Sequence, residues 1–164
     1  DCESVLESYG GHAMAAGVRL KPSNLDAFRK LLCEVATTTY RGEAPAPRLM
    51  LDAEVPLASM TLNLLRDLDR LEPFGCENPR PRFQATRVKV EGVPKKVGQG
   101  ERHVSLRLRQ GNTSLRAIAF GQGERFDELA EPGAEFDLAF TPRLNEWQGY
   151  KSVQIEVVDF RKSC

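Results

Sequence analysis

Residues 102–109 read Arg-His-Val-Ser-Leu-Arg-Leu-Arg, and apolar and polar residues alternate strictly from position 103 onward. Val104, Leu106 and Leu108 are the apolar positions. The polar positions between and around them are His103, Ser105, Arg107 and Arg109. Alternation with a period of two predicts a strand that buries one face and presents the other to solvent. We therefore expect a sheet with an apolar core on one side and a cationic outer face on the other.

Further strand-like runs lie on both sides of this stretch and are separated by glycine-rich or acidic turns. The five runs cover residues 83–93, 102–110, 114–120, 135–143 and 151–160. A short helical segment at 124–130 falls between the third and fourth runs. This order suggests the OB-fold, a five-stranded Greek-key barrel that commonly binds oligonucleotides, although other five-stranded barrels share the strand count.

The first half of the chain predicts a mixed helix and strand portion. Residues 1–9 have apolar side chains at helical spacing and predict the end of a helix that Gly10-Gly11 stops. Residues 15–20 predict a short strand, and Ser23 or Asn24 then caps a second helix. The expected buried stripe of this helix consists of Leu25, Phe28, Leu31, Leu32, Val35 and Ala36.

Two proline-rich stretches divide the chain. Residues 43–47 form a first linker-like stretch, and a strand at 49–55 and an amphipathic helix at 62–71 follow it. Residues 73–81 form a joint without periodicity and are the best candidate for a domain boundary. The predicted organisation is therefore a first domain at 1–48, a connecting strand, helix and joint at 49–79, and an OB-fold domain at 80–164.

Length and composition exclude several classes of protein. A chain of 164 residues with 41% hydrophobic and 28% charged residues can bury a core without staples. No apolar run approaches the roughly 20 residues of a membrane helix. The start at Asp1, without an initiator methionine or a signal segment, suggests a piece of a longer protein. The four cysteines, at 2, 33, 76 and 164, form no CxxC pair and predict neither a zinc site nor a disulfide framework, so a cytoplasmic protein is expected.

The net charge of zero conceals a strong asymmetry along the chain. Residues 1–79 carry 8 Lys or Arg and 12 Asp or Glu, residues 80–125 carry 11 and 3, and residues 126–164 carry 4 and 8. The middle segment therefore has a net charge of +8, which predicts a track for a phosphate backbone, while a merely solvated strand face is the alternative. The candidate contacts are Arg80, Arg82, Arg87, Lys89, Lys95, Lys96, Arg102, His103, Arg107, Arg109 and Arg116.

A second anion-binding candidate lies near the start of the chain. Gly10 and Gly11 precede His12, and small residues continue to Gly17. Glycines let backbone N–H groups approach an anion closely, and His12 would add a side-chain donor. From spacing alone, a glycine stop followed by a strand of small residues is favoured over this phosphate clamp.

Several motifs resemble known families. Tyr9-Gly10-Gly11-His12 followed by Ala15-Ala16-Gly17 resembles the glycine-histidine motif of the DHHA1 domain, which accompanies the DHH phosphoesterases. The second half contains the motifs Leu71-Glu72-Pro73-Phe74-Gly75, Asn78-Pro79, Pro81 with Phe83, Ala117-Ile118-Ala119-Phe120-Gly121, and Leu144-Asn145-Glu146-Trp147-Gln148-Gly149 with Gln154 and Asp159. With these motifs it resembles the C-terminal region of the RecJ family of bacterial single-stranded-DNA-specific exonucleases. Glu77 departs from the family, which usually has glycine there.

The resemblance implies a 5′-to-3′ exonuclease of DNA repair and recombination whose Mn²⁺ or Mg²⁺ ions are bound by a DHH domain. This chain has no Asp-His-His triplet, and Asp67 and Asp69 are better explained as an exposed helix face than as a catalytic pair. We therefore expect no catalytic residue, no metal ligand and no nuclease activity in this chain by itself. By the same resemblance, Gly10, Gly11 and His12 would contact a DNA phosphate.

Aromatic residues are the expected base contacts of the barrel. Trp147 and Tyr150 flank a turn and are candidates for stacking on single-stranded DNA, while a packed Trp147 is an equal alternative. Phe120, Phe136 and Phe140 are expected in the core. The competing functional hypothesis is an OB-fold adaptor that docks a protein partner, such as a single-stranded-DNA-binding protein. RNA, as in small DHH enzymes or the editing region related to alanyl-tRNA synthetase, is a third.

Overall fold

A computed structural model describes residues 2–39 and 48–163. It divides into two compact units, Asp1–Arg48 and Leu49–Cys164. The linker-like stretch predicted at 43–47 lies outside the described residues. No helix in the described part of the chain is long and apolar enough to cross a membrane.

The first unit consists of a hairpin and one helix. Strands β1 (Ser8–His12) and β2 (Ala15–Arg19) pair antiparallel, and helix α1 (Leu25–Thr39) follows a 3₁₀ turn at Pro22–Asn24. The strand at 15–20 and the second helix are confirmed. The helix expected over 1–9 is wrong, because a 3₁₀ turn at Glu3–Val5 leads directly into β1, where Tyr9 pairs with Val18. The stripe of α1 is not buried within this unit, and Leu25 and Leu32 are each 49% exposed.

The second unit is built on one large sheet. Its strands are β3 (Ala53–Glu54), β4 (Phe83–Val90), β5 (Lys95–Val97), β6 (His103–Gln110), β7 (Thr113–Ala119), β8 (Glu135–Trp147) and β9 (Tyr150–Lys162). The order is β3-β4-β8-β9-β7-β6-β5, and an additional pairing joins β4 to β6. The pairings of β4, β8, β9, β7 and β6 therefore form a closed cycle of five strands. All five runs predicted from the sequence correspond to these five strands.

Two helices accompany the sheet. Helix α2 (Leu62–Asp69) lies between β3 and β4, and helix α3 (Phe126–Leu129) lies between β7 and β8, as predicted. The boundary between the units falls at residue 48 and not at the proline-rich joint. The reason is that Leu57 and Met60, which precede the joint, are buried in the same core as the strands, and Leu64 and Leu68 pack against that core.

The core of the second unit is formed by the inward face of the strands. Val104 and Leu108 are fully buried and Leu106 is 5% exposed, as the alternation predicts. Phe136 and Phe140 are fully buried, which confirms their assignment to the core. Phe120 is 54% exposed, so its assignment to the core is wrong. It follows the last residue of β7 and packs edge-on against the ring of His103 at 5.1 Å.

Candidate nucleic-acid interface

The outward face of β6 carries the cations that the alternation predicts. The side chains of Arg107 and Arg109 are 49% and 56% exposed, whereas their neighbours Leu106 and Leu108 point into the core. The neighbouring strand β7 contributes Arg116, which is also exposed. Burial of alternate residues thus forces these guanidinium groups onto one surface of the sheet.

The strand register places like charges opposite each other. Arg107 pairs with Arg116 across β6 and β7, and Arg109 pairs with Lys89 across β6 and β4. Directly opposed like charges destabilise a sheet unless an anion compensates them. The surface therefore requires negative charge, either from the protein itself or from a ligand.

Glu91 supplies part of that charge. Its carboxylate accepts a hydrogen bond from the Ser114 hydroxyl, and it lies 3.5 Å from Arg107 Nε and 3.4 Å from Arg109 Nη1. The Ser114 hydrogen bond, together with the charges of Arg109 and Arg107, holds the pKa of the Glu91 carboxyl below its usual range. Glu91 is therefore ionised at neutral pH and compensates two of the cations.

Arg116 and Lys95 lack such compensation. Within residues 2–39 and 48–163, no carboxylate lies at ion-pairing distance from either side chain. The register partner of Arg116 on β9 is Gln154, whose amide is neutral. These two cations are the part of the surface that remains available to an external anion.

Two aromatic residues lie at the tip of the β8–β9 hairpin. Trp147 pairs with Tyr150 across a two-residue turn in which Gln148 and Gly149 both have positive φ, of 49° and 81°. Such a turn matches the twist of the flanking strands. The rings are 69% and 81% exposed. Trp147 is therefore not a core residue, and the alternative in which it packs is wrong.

The cations and the aromatic rings line one groove. A cavity of about 480 Å³ contains Lys95, Arg107 and Arg116, and a cavity of about 460 Å³ contains Arg107, Arg116, Trp147 and Tyr150. Both cavities share Arg107, Arg116 and Asn145, so they adjoin each other on the same surface. We call this surface the groove and define it by Lys95, Glu91, Arg107, Ser114, Arg116, Asn145, Trp147, Tyr150 and Gln154.

The aromatic end of the groove has an apolar floor. Met60, Leu62, Leu115 and Val153 line it. Leu115 and Val153 belong to β7 and β9, whereas Met60 and Leu62 follow the 3₁₀ turn at Leu57–Ser59, which Leu57 anchors in the core. The Leu57 amide donates to Gln110 Oε1 at 2.7 Å, and Gln110 Nε2 donates to the Thr86 carbonyl at 2.7 Å. The half-buried side chain of Gln110 thus ties the groove floor to strands β4 and β6.

Several predicted contacts lie outside the groove. Arg80 lies 3.6 Å from Asp69 and 3.0 Å from Glu72, and Lys89 lies 3.2 Å from Glu135. The remaining ones line neither cavity of the groove; they are Arg82, Arg87, Lys96, Arg102, His103 and Arg109. The cations of residues 80–125 therefore lie on several surfaces. Consecutive side chains of a strand point to opposite faces of the sheet, and the loops direct other side chains away from it.

Some of these residues have structural partners. Lys96 lies 5.3 Å from the ring centre of Phe126, and His103 Nδ1 accepts a hydrogen bond from the Gly121 amide. The Arg102 guanidinium donates to the Gln99 carbonyl. Arg109, although outside both cavities, remains coupled to the groove through Glu91. These contacts explain why charge counting along the sequence overestimates the available cationic surface.

The groove also contains residues that the sequence analysis did not propose as contacts. These are Glu91, Ser114, Asn145 and Gln154. Arg143 is a further cation of this face, since it pairs with Gln154 in register and donates to Glu156 at 2.7 Å. Alternation along 143–147 and 150–156 predicts that Arg143, Asn145 and Gln154 share one face. Their position beside the arginines of β6, however, depends on the order of the strands in the sheet.

The glycine-histidine segment forms the β1–β2 hairpin of the first unit. His12 is exposed, and its Nδ1 accepts a hydrogen bond from the Met14 amide at 3.2 Å. A Cβ on Gly11 would collide with the backbone of Ala15 and Ala16, so close pairing across this hairpin requires glycine there. Gly10, in contrast, faces open space. Strand pairing therefore explains the glycine at position 11 but not the one at position 10.

The described residues provide no metal centre. No three His, Cys, Asp or Glu side chains among them lie together as ligands for an ion. Asp67 and Asp69 are exposed and pair with different arginines, Arg70 and Arg80. The donor set therefore does not fit a two-metal hydrolytic site.

Comparison with known proteins identifies the relatives of this chain. Residues 51–159 match the family model described as RecJ OB domain. Over 97% of its length the chain is 30% identical to the single-stranded-DNA-specific exonuclease RecJ of Bacillus subtilis, and over 98% it is 31% identical to that of Thermus thermophilus. The chain spans 20% and 22% of the length of these two proteins.

A solved structure gives the same result. The crystal structure of RecJ from Thermus thermophilus in complex with Mn²⁺ superimposes with a TM-score of 0.70 and 31% identity, over 98% of this chain and 22% of that one. A TM-score of this size over nearly the whole chain indicates a shared fold.

Proposed function

The chain belongs to the RecJ OB domain family, and on this basis we propose that it is the substrate-binding C-terminal region of a single-stranded-DNA-specific 5′-to-3′ exonuclease. In this proposal the second unit is an OB-fold barrel. The closed cycle of five strand pairings, with α3 between β7 and β8, the third and fourth of these strands along the chain, supports this assignment. The hairpin and helix of the first unit are then the end of a DHHA1-like domain.

The observation that carries the proposal is the composition of the groove. Arg116 and Lys95 are exposed without an ionic partner among the described residues, and the exposed Trp147 and Tyr150 line the same cavity as Arg116. Cations that follow a phosphate backbone and aromatic rings that stack on bases are the two components of sequence-independent binding of single strands. In a double helix the bases are already stacked, so the aromatic end of the groove favours a single strand.

Phosphate contact at the β1–β2 hairpin is the second component of the proposal. Gly10, Gly11 and His12 would hold a phosphate of the strand. The exposed position of His12 permits this role. Exchange of His12 for Ala should then slow cleavage by a full-length enzyme while oligonucleotide binding by the groove is retained.

We place hydrolysis outside these 164 residues. A DHH domain of the whole protein would bind the Mn²⁺ or Mg²⁺, in accordance with the lack of a ligand cluster among the described side chains. The chain by itself should leave a 5′-labelled single strand intact in the presence of Mn²⁺, as followed by gel electrophoresis. Cleavage that persists after repurification and disappears in a groove variant would contradict this assignment.

The binding proposal is tested by a salt titration. A fluorescein-labelled thymidine 20-mer is titrated with the chain at increasing KCl, and the anisotropy gives the affinity. We expect the logarithm of the affinity to fall with log salt by about 0.7 for each phosphate engaged. A duplex of the same length should bind more weakly. Comparable binding of duplex, or no binding at all, would overturn the proposal.

The sole tryptophan gives a second measurement. Trp147 lies in the groove, so its fluorescence should be quenched when the oligonucleotide binds.

Arg116→Ala should weaken binding of the oligonucleotide. Arg70→Ala is its matched control, because Arg70 is 81% exposed and lies outside both cavities. If the chain binds an acidic peptide tightly and the oligonucleotide poorly, the adaptor function is correct and the DNA-binding function is wrong.

A further inference from the structure

Glu91 occupies an unusual position for a carboxylate in a cationic groove. It directly follows β4, and its backbone amide donates to the Arg107 carbonyl at 2.9 Å. Its side chain lines the same cavity as Lys95, Arg107 and Arg116 and is 35% exposed. The carboxylate is therefore fixed at the surface of the groove and is not directed away from it.

The donors that surround this carboxylate form the set that recognises a phosphate. Arg107 and Arg109 approach its two oxygens from neighbouring positions on β6, and the Ser114 hydroxyl donates from β7. Two guanidinium groups and a hydroxyl around a pair of anionic oxygens are equally suited to the oxygens of a phosphodiester. The same donors cannot serve both anions fully at the same time.

We propose that Glu91 is an internal competitor for phosphate, which holds Arg107 and Arg109 in the free protein and weakens the grip of the groove on a nucleic-acid strand. This inference rests on the proposed function of the groove. A phosphodiester that reaches these arginines displaces the carboxylate or lies beside its charge, and either event costs binding free energy. The uncompensated Arg116 and Lys95 then provide the first electrostatic contact.

Such a competitor suits a protein that must release the strand repeatedly. A groove in which every cation was free would bind single strands tightly and dissociate slowly, because affinity differences between related complexes lie mostly in the dissociation rate. Glu91 also compensates the charges of Arg107 and Arg109, which lie opposite Arg116 and Lys89, while no strand is bound. One carboxylate thus stabilises the free sheet and limits the affinity of the bound state.

The experiment compares Glu91→Gln with the unaltered chain of 164 residues, with the thymidine 20-mer as the probe. Glutamine keeps the size and an oxygen acceptor for Ser114 but removes the charge. We expect the affinity at low salt to rise about fivefold and the log–log salt slope to become steeper by about 0.7, the value for one additional phosphate. Stopped-flow dissociation should be slower by a similar factor.

Glu131→Gln is the matched control. It changes the net charge equally, but Glu131 pairs with Lys162 and lies outside both cavities of the groove. Its effect measures the general contribution of one charge to oligonucleotide binding. Glu91→Ala is the second variant, and circular dichroism and thermal unfolding establish that each variant is folded.

The outcomes separate this inference from the proposed function. If the unaltered chain binds the 20-mer and Arg116→Ala weakens binding, the groove is confirmed as the binding site whatever Glu91 does. If Glu91→Gln then binds equally or more weakly, or gains no more than Glu131→Gln, Glu91 is not a competitor and the inference is overturned. If the unaltered chain does not bind the 20-mer, the proposed function itself fails.

Discussion

Arginines are used in opposite ways at the groove and at the end of the sheet beside α3. Arg125 donates to Glu128, Asp159 and the Phe160 carbonyl, each at 2.8 Å, and its guanidinium lies 3.7 Å from the ring centre of Phe160. We call these four residues the ion-pair cluster. In the groove, Arg116 is exposed beside a neutral Gln154.

The difference shows which cations hold the fold and which are available to a ligand. A guanidinium whose donors are all used by the protein gains nothing from an external phosphate, because binding would first break its internal contacts. A guanidinium without an ionic partner in the protein gains the whole free energy of its charge-assisted hydrogen bonds to the phosphate. Variants of both kinds of arginine test this division when stability and oligonucleotide affinity are measured for the same proteins.

The largest effect is expected from the aromatic end of the groove. Removal of both rings in Trp147→Ala with Tyr150→Ala should weaken binding of the thymidine 20-mer by at least about 30-fold, because base stacking contributes about 1–3 kcal/mol per base. The thermal unfolding midpoint should change little, since both rings are more than two-thirds exposed. Retained affinity would show that bases do not bind at this end.

The ion-pair cluster should give the inverse result. Arg125→Ala removes five hydrogen bonds and an aromatic contact, and it leaves the carboxylates of Glu128 and Asp159 without their partner. We expect the free energy of unfolding to fall by about 2 kcal/mol, as measured by urea denaturation. Oligonucleotide affinity should stay within twofold. A large loss of affinity in a stably folded variant would contradict the division into two classes of arginine.

The sequence alone could not predict which arginines have ionic partners in the protein and which are available to a ligand. Alternation in 103–109 is a local property, and it correctly predicted the buried and exposed faces of β6. The pairing of Arg107 with Arg116 and the contact with Glu91 depend on strand register and on the β4–β6 junction, which no local pattern encodes. The sequence therefore predicted a cationic face but not which of its cations are compensated.

Two errors have the same origin. Tyr9 fits a helical spacing, but it lies in a strand because the segment pairs across its glycines with residues 15–19. Phe120 was expected in the core, yet it comes directly after the end of β7, packs against the ring of His103 and is 54% exposed. In both cases the tertiary partner, or its lack, decided between two locally acceptable states.

An intermediate effect is expected for Arg116. Exchange for Ala removes a cation that has no ionic partner within the described part of the chain, so the free energy of unfolding should be unchanged or slightly raised by relief of the repulsion with Arg107. Affinity for the 20-mer should fall about fivefold, and the salt slope should become shallower by about 0.7. Arg70→Ala should change neither the affinity nor the salt slope. If the two variants have the same salt slope, Arg116 is not part of the interface.

The smallest effect concerns acid stability. The Ser163 hydroxyl donates to Asp137 at 2.6 Å, and with the Arg87 amide and Arg161 it holds the pKa of this carboxyl below its usual range. Because the pKa is lower in the folded state, the unfolded chain binds the proton more readily. This contribution to stability is therefore complete above the unfolded pKa, near 4, and is lost as the pH falls through the folded value.

Asp137→Asn removes that dependence and sharpens the comparison between the two regions. Urea denaturation between pH 7 and pH 2.5 should show a shallower acid loss in this variant than in the unaltered chain. The groove carboxylate Glu91 also has a lowered pKa, so Glu91→Gln should flatten the same pH range. The two variants should differ in oligonucleotide affinity, however. Asp137 lines neither cavity of the groove, so Asp137→Asn leaves Glu91 in place to compete with phosphate for Arg107. A stability curve unchanged by Asp137→Asn would mean that Ser163 and Arg161 do not hold this carboxylate in solution.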